Sequence, residues 1–179
     1  YLLELINEIL DLALIESGKI SMSPEPMSLA EVLTDCQAMI EPQARARGIR
    51  VAWAGPVCEL HVRADRTRVK QVFVNLLSNA IKYNREGGAV DIHARLADGR
   101  ITLEVQDTGI GMSPEQLVHL YEPFNRLGRE RGEVEGSGIG LVLTRQLIER
   151  MNGLLAYLTE HCCAGQPCEA VPAPSCRNC

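Results

Sequence analysis

Residues 1–17 place Leu2, Leu5, Ile6, Ile9, Leu12 and Ala13 at three- and four-residue spacing, which predicts an amphipathic helix ended by Gly18. The Pro-rich run S-M-S-P-E-P-M at 21–27 breaks that period and predicts a linker. A second helix follows from about Ala30 to Arg47, with Val32, Leu33, Cys36, Met39 and Ile40 on one face. Gly48 closes it and Ile49–Ala54 begins a strand. Over 66–84 one apolar stripe, Val69, Val72, Phe73, Leu76, Ala80 and Tyr83, must face a core. Alternation in Val90–Leu96 and Ile101–Val105, around a turn at Asp98-Gly99, predicts a hairpin, and Asp107 continues the inward parity of its second strand. Ser113 and Pro114 open a short helix to about residue 120. The polar stretch 125–137 reads as a mobile loop, Gly138–Met151 as mostly helix and Leu154–Leu158 as a strand.

The helix over 66–84 carries a second stripe. Gln71, Asn75, Asn79 and Lys82 recur at helical spacing on a separate, polar face. One stripe in the core and one of amides plus an amine suits a roof over a polar ligand. From Asn75 to Lys82 the rise is about 10 Å, comparable to an extended triphosphate. An inward Asp107 needs hydrogen-bond donors, from a ligand or from a turn before Gly109.

Composition narrows the class. The chain has 179 residues, 46% of them hydrophobic, enough for one main core. Its net charge of −5, without a dense basic run, argues against nucleic acid as a partner. No apolar run reaches membrane-spanning length, and the opening at Tyr1, already inside a helical pattern, reads as a segment of a longer protein. Of seven cysteines, only Cys36 and Cys58 lie outside the region 162–179.

Four segments in order, N-L-L-S-N-A-I-K (75–82), D-T-G-I-G (107–111), Y-E-P-F-N-R-L (121–127) and E-G-S-G-I-G-L (135–141), resemble the N, G1, F and G2 boxes of sensor histidine kinases. L-L-E-L-I-N-E-I-L-D-L in the first helix resembles the end of that family's dimerisation hairpin. The resemblance covers roughly residues 1–158. It implies an α/β two-layer sandwich of the Bergerat type, a mixed sheet covered on one face by helices and preceded by the end of a dimerisation helix. The implied organisation is 1–20 hairpin, 21–27 linker, 28–160 catalytic and ATP-binding domain, and 161–179 an atypical tail.

The resemblance also implies roles. Asn79 matches the Mg²⁺-ligating Asn, with a hard carbonyl oxygen suited to that ion. Asn75 and Lys82 match catalytic positions near metal and phosphates, and Tyr83 a position beside the nucleotide. Asp107 matches the adenine-reading Asp, with a turn-capping Asp as the alternative, and Gly109 and Gly111 let backbone approach the base. Phe124 belongs to the F box. Gly136, Gly138, Gly140 and Leu141 match the loop leading into a helix whose amides can bind phosphate, or form a plain hinge. Arg126, Arg129 and Arg131 either neutralise phosphate as a lid closes or are solvated loop charges.

Related ATPases of this fold, DNA gyrase and the MutL proteins among them, carry a Glu at the position of Asn75, where it activates water. An amide cannot take that proton, so the resemblance implies transfer of the ATP γ-phosphoryl group to a histidine. His61, His93, His119 and His161 do not match the family's acceptor motif, so the acceptor is expected outside this chain. The implied cofactors are ATP and Mg²⁺. The implied partners are the protein's own dimerisation and phosphoacceptor domain, as a homodimer, and a response regulator receiver domain, with this domain cytoplasmic and membrane anchoring of the longer protein left open. The alternatives are an ATPase or anti-sigma-type serine kinase of the same fold, and a degenerate nucleotide-binding or dimerisation module.

Beyond Leu158 the family's closing G-x-G-[ST]-x-F hairpin is replaced by H-C-C-A-G-Q-P-C-E-A-V-P-A-P-S-C-R-N-C, a poor strand. Its composition suits an unstructured tail from a shifted frame or gene end. A Zn²⁺ site on Cys176 and Cys179 with Cys163 or His161, and disulfides, are the other readings.

Overall fold

A computed structural model describes residues 2–54, 60–97, 99–127 and 136–156 of the chain. In chain order its elements are α1 (Leu2–Glu16), β1 (Glu25–Ser28), α2 (Leu29–Ala46), β2 (Arg50–Ala54), β3 (His61–Ala64), α3 (Arg66–Lys82), β4 (Ala89–Ala97), β5 (Arg100–Asp107), α4 (Pro114–Val118) and α5 (Gly140–Arg150). They divide between two compact units, one of Ile20–Ile110 and one of Tyr1–Lys19 with Gly111–Cys179.

In the unit Ile20–Ile110, β2 runs parallel to β4 and β4 antiparallel to β5, giving a mixed sheet of order β2-β4-β5. A parallel pair requires a crossover, and α3 lies within it. That helix packs against α2, β4 and β5. Its N-terminus is fixed by Asp65, whose carboxylate accepts from the Arg68 N–H at 3.1 Å and from the Ser23 N–H at 2.9 Å. Burial alone would raise the Asp65 pKa, but the N–H groups of Ser23, Arg68 and Thr67 outweigh it and hold the group below its usual 3.8.

The buried face of α3 is Val69, Val72, Phe73, Leu77, Ser78, Ala80 and Ile81. Leu76 and Tyr83, expected in this stripe, are half-buried. Two adjacent leucines fit the period equally well, and packing on the sheet selects Leu77, burial worth about 1.5–3 kcal/mol. Of the elements that α3 packs against, α2 buries Val32, Leu33 and Ile40, and β4 buries Val90 and Ile92. Cys36 is fully buried in α2, its Sγ 3.9 Å from the Lys70 carbonyl, and burial pushes its thiol pKa up to about 11. On the outer side Arg66 pairs with Glu31 and Asp35, and Lys70 with Asp35.

The run 21–27 is not structureless throughout: β1 begins at Glu25 and pairs antiparallel with β3. Pro26 fits because, among the described residues, β1 has a neighbour on one side only, and an edge tolerates a missing donor. The hairpin β4–β5 forms as expected, with Val90, Ile92 and Ala94 buried, but Leu96 is 61% exposed.

In the other unit α1 packs on α5, burying Leu12 and Ile15 of α1 and Val142, Leu143 and Leu147 of α5. Gly18, left-handed at φ +70°, ends α1 as expected. Leu2, Leu3, Ile6 and Leu10 of α1 remain exposed. The short α4 starts with Ser113 and Gln116 in a reciprocal capping box and Pro114 in the first turn. The expected strand at 154–158 is absent over 154–156, and residues 157–158 lie outside the described residues. So do residues 128–135 of the expected loop and the whole tail 161–179.

Candidate nucleotide site

The predicted site residues are distributed over both units. In Ile20–Ile110, Asn75, Asn79 and Lys82 stand half-buried along the face of α3 that does not enter the core. Tyr83, also half-buried, caps that helix, its N–H donating to the Asn79 carbonyl at 3.0 Å. The structure brings the end of α3 and the D-x-G loop together: the Ile110 N–H donates to the Tyr83 carbonyl at 3.2 Å. Gly109 is the reason they can approach. A Cβ there would lie 2.6 Å from the Tyr83 carbonyl oxygen and 2.6 Å from Asp107 Oδ1, so any larger residue forces the backbones apart.

Asp107 pairs in register with Val90, which is fully buried, yet the carboxylate itself is exposed in this structure, not inward as parity alone predicted. It is the last residue of β5, where the sheet no longer covers it. Its Oδ1 accepts from the Gly109 N–H at 2.8 Å, which is the turn-capping geometry. One oxygen thus holds the loop, while Oδ2 has no protein partner among the described residues and faces outward as an acceptor. The two readings of Asp107 are compatible, one per oxygen.

A set of residues that the periodicity did not single out fastens this corner. Asn84 donates from Nδ2 to the Ala89 carbonyl at 2.9 Å and accepts at Oδ1 from the Thr108 hydroxyl at 3.1 Å. Thr108 Oγ1 in turn accepts from the Ala89 N–H at 2.9 Å. This links the segment after α3, the start of β4 and the end of β5. The signal was available: a polar pair directly following the Asn/Lys stripe and inside D-T-G. Arg47 adds a 2.7 Å bond from its guanidinium to the Lys82 carbonyl, satisfying an orphan acceptor at the helix end.

In the other unit Phe124 and Gly138 are joined, the Phe124 N–H donating to the Gly138 carbonyl at 3.2 Å. Gly138 is left-handed, at φ +76°, and a Cβ on it would lie 2.9 Å from the Phe124 carbonyl carbon. Phe124 is itself left-handed, at φ 64°, with a 60% exposed side chain. A bulky residue in that region is strained and is held only because its surroundings over-determine it. Gly140 begins α5, Gly136 and Leu141 are half-buried beside it, and Gly111 is left-handed at φ +63°. Arg126 is half-buried, and Arg129 and Arg131 lie outside the described residues.

Around the F segment, His119 Nδ1 lies 2.7 Å from Glu122 Oε1, and Asn125 Nδ2 donates to Glu122 Oε2 at 2.7 Å. Those bonds hold Glu122 below the usual carboxylate range, with His119 the larger cause. Arg145 of α5 stacks 4.7 Å over the Tyr121 ring. His61 and His93 are exposed, and His161 lies outside the described residues. No helix among the described residues is long and apolar enough to cross a membrane.

A sequence profile described as "Histidine kinase-, DNA gyrase B-, and HSP90-like ATPase" matches residues 64–169. The chain is 34% identical over 153 residues to histidine protein kinase DivJ of Caulobacter vibrioides, covering 86% of this chain and 26% of that protein. Among solved structures it resembles full-length ShkA in complex with AMPPNP, at TM-score 0.70 and 30% identity over 84% of this chain and 31% of that one. It also resembles the catalytic domain of histidine kinase ThkA, at TM-score 0.64 and 28% identity over 72% of this chain and 82% of that one. The chain spans less than a third of the length of the curated relatives it matches first. With a mixed sheet under α3, the Asn stripe, the D-x-G corner and the Gly loop before α5, the chain belongs to the histidine kinase-, DNA gyrase B- and HSP90-like ATPase family, as the ATP-binding catalytic domain of a sensor histidine kinase.

Proposed function

We propose that this domain transfers the γ-phosphoryl group of ATP to a histidine supplied by the protein's own dimerisation domain, in a homodimer, and that a response regulator receiver domain takes the group onward in the cytoplasm. The observation that carries the reading is Asn75, an amide on the half-buried face of α3 where a hydrolytic relative would need a carboxylate. Without a general base at that place, water is a poor nucleophile and ATP survives until an imidazole arrives.

The residues divide the work. Asp107 Oδ2 accepts from the adenine amino group while Oδ1 keeps the loop closed on Gly109. Tyr83 flanks the base, Lys82 meets phosphate charge, and the Gly136–Gly140 loop offers backbone amides at the start of α5. Phe124, bonded to Gly138, ties the position of the loop to the segment that precedes the lid. Asn79 and Asn75 offer hard amide oxygens that fit Mg²⁺. No three His, Cys, Asp or Glu side chains converge into a metal cage among the described residues, so phosphate oxygens would have to complete the ion's shell. Bound there, Mg²⁺ supplies charge neutralisation along the phosphates.

The test is phosphoryl transfer from γ-labelled ATP to an added phosphoacceptor hairpin of the same protein. Asn79→Asp and Asp107→Asn are expected to abolish labelling, and normal labelling by either variant would overturn the assignment. Steady ATP hydrolysis by the chain alone would favour an ATPase instead.

A further inference from the structure

The Gly loop before α5 holds a negatively charged group from elsewhere in the same unit. Ser137, between Gly136 and Gly138, donates its hydroxyl hydrogen to the half-buried carboxylate of Glu8 on α1. The same hydroxyl oxygen accepts from the Ile139 N–H at 3.1 Å, one of the amides at the mouth of α5. That helix has no acidic residue in its own first turn and no side-chain cap at Ile139. Its positive end is therefore served by an acid borrowed from α1. At the far end Arg150 donates to the Ile15 carbonyl at 2.8 Å, and Leu12 and Ile15 are buried in between. Contacts at both ends fix α1 in the position that presents Glu8 to the loop.

We propose that Glu8 is an internal anion that competes with the phosphates of a nucleoside di- or triphosphate for the 136–140 loop, so that the position of α1 sets nucleotide affinity. This rests on the reading of that loop as the phosphate site. A carboxylate hydrogen-bonded to Ser137 repels an incoming phosphate and occupies the hydroxyl that steadies the Ile139 amide. Any displacement of α1 that withdraws Glu8 frees the loop, and by reciprocity a bound phosphate loosens α1. Adenosine, with no phosphate, should be indifferent to Glu8.

The experiment measures dissociation constants of ADP, a non-hydrolysable ATP analogue and adenosine for the 179-residue chain. Its variants are Glu8→Gln, Glu8→Ala and Glu16→Gln, the last removing an exposed charge from the same helix. Both Glu8 variants are expected to bind ADP and the ATP analogue roughly two- to fivefold more tightly, the range of a single charge at a helix N-terminus. Adenosine affinity and Glu16→Gln should match the parent. Equal ADP affinity in parent and Glu8 variants, or parallel shifts for ADP and adenosine, overturns the proposal. A second measurement needs no variant: ADP, and not adenosine, should speed hydrogen exchange in α1 of the parent chain, and no difference between them counts against it. Failure of the parent to bind any phosphorylated nucleotide would instead overturn the phosphate-loop reading on which the proposal stands.

Discussion

At the scale of single residues, two glycines and one aspartate do most to shape the candidate site. Gly138→Ala would place a left-handed alanine against the Phe124 backbone, a strain of at least about 1–2 kcal/mol. The expected result is a lowered melting temperature together with weaker nucleotide binding, seen by calorimetry and titration of one sample. Asp107→Asn separates structure from recognition. Its carbonyl can keep the Gly109 N–H bond, so the melting temperature should stay near the parent's, while loss of a charged acceptor weakens ATP binding by roughly 10- to 150-fold. Asn75→Glu restores a general base, and steady-state ATP hydrolysis should rise at least about tenfold, a modest fraction of what such a base contributes. The sequence motifs point to these residues, but not to the bond that one Asp107 oxygen makes with the Gly109 N–H. Parity in a strand says which face a residue takes and nothing about where the sheet's cover stops.

At the scale of elements, α3 is the part on which the sheet and the polar stripe both depend, and its start is chemically defined. Asp65→Ala removes the cap and orphans the Ser23 N–H, and should cost about 0.5–2 kcal/mol in a denaturant melt. Because the folded Asp65 pKa lies below its ordinary 3.8, its contribution is present above that value and lost as pH falls through the folded pKa. The stability difference between parent and Asp65→Ala should therefore shrink in acid, below about pH 4. Helices were the most legible elements, because their period of 3.6 survives many substitutions: α1, α2, α3 and α5 all lie within a few residues of their expected bounds. Where the pattern misled, the competing force is identifiable. Two prolines in 21–27 read as breakers, yet one of them sits in β1, which among the described residues pairs on one side only, so its other side asks for no donor. The choice of Leu77 over Leu76 was invisible because a helix pattern specifies a face only to within about one residue.

At the scale of the whole molecule, the residues that the motifs single out fall in separate compact units, Asn75, Asn79 and Asp107 in Ile20–Ile110 and the Gly loop in the other. A nucleotide present at a hundred times its dissociation constant should stabilise the fold by about 2.7 kcal/mol, a shift that a thermal melt can read. The fully buried Cys36 gives that shift a local reporter. With its thiol held near pKa 11 and closed off between α2 and α3, it can meet an alkylating reagent only in molecules that have opened. Its modification rate, followed on the peptide that contains it, is therefore a clock for how often this unit comes apart. Saturating nucleotide should slow that clock roughly a hundredfold if opening is global, the kinetic counterpart of the same mass action. A rate untouched by nucleotide would mean that the α2–α3 pair opens on its own, independently of nucleotide binding.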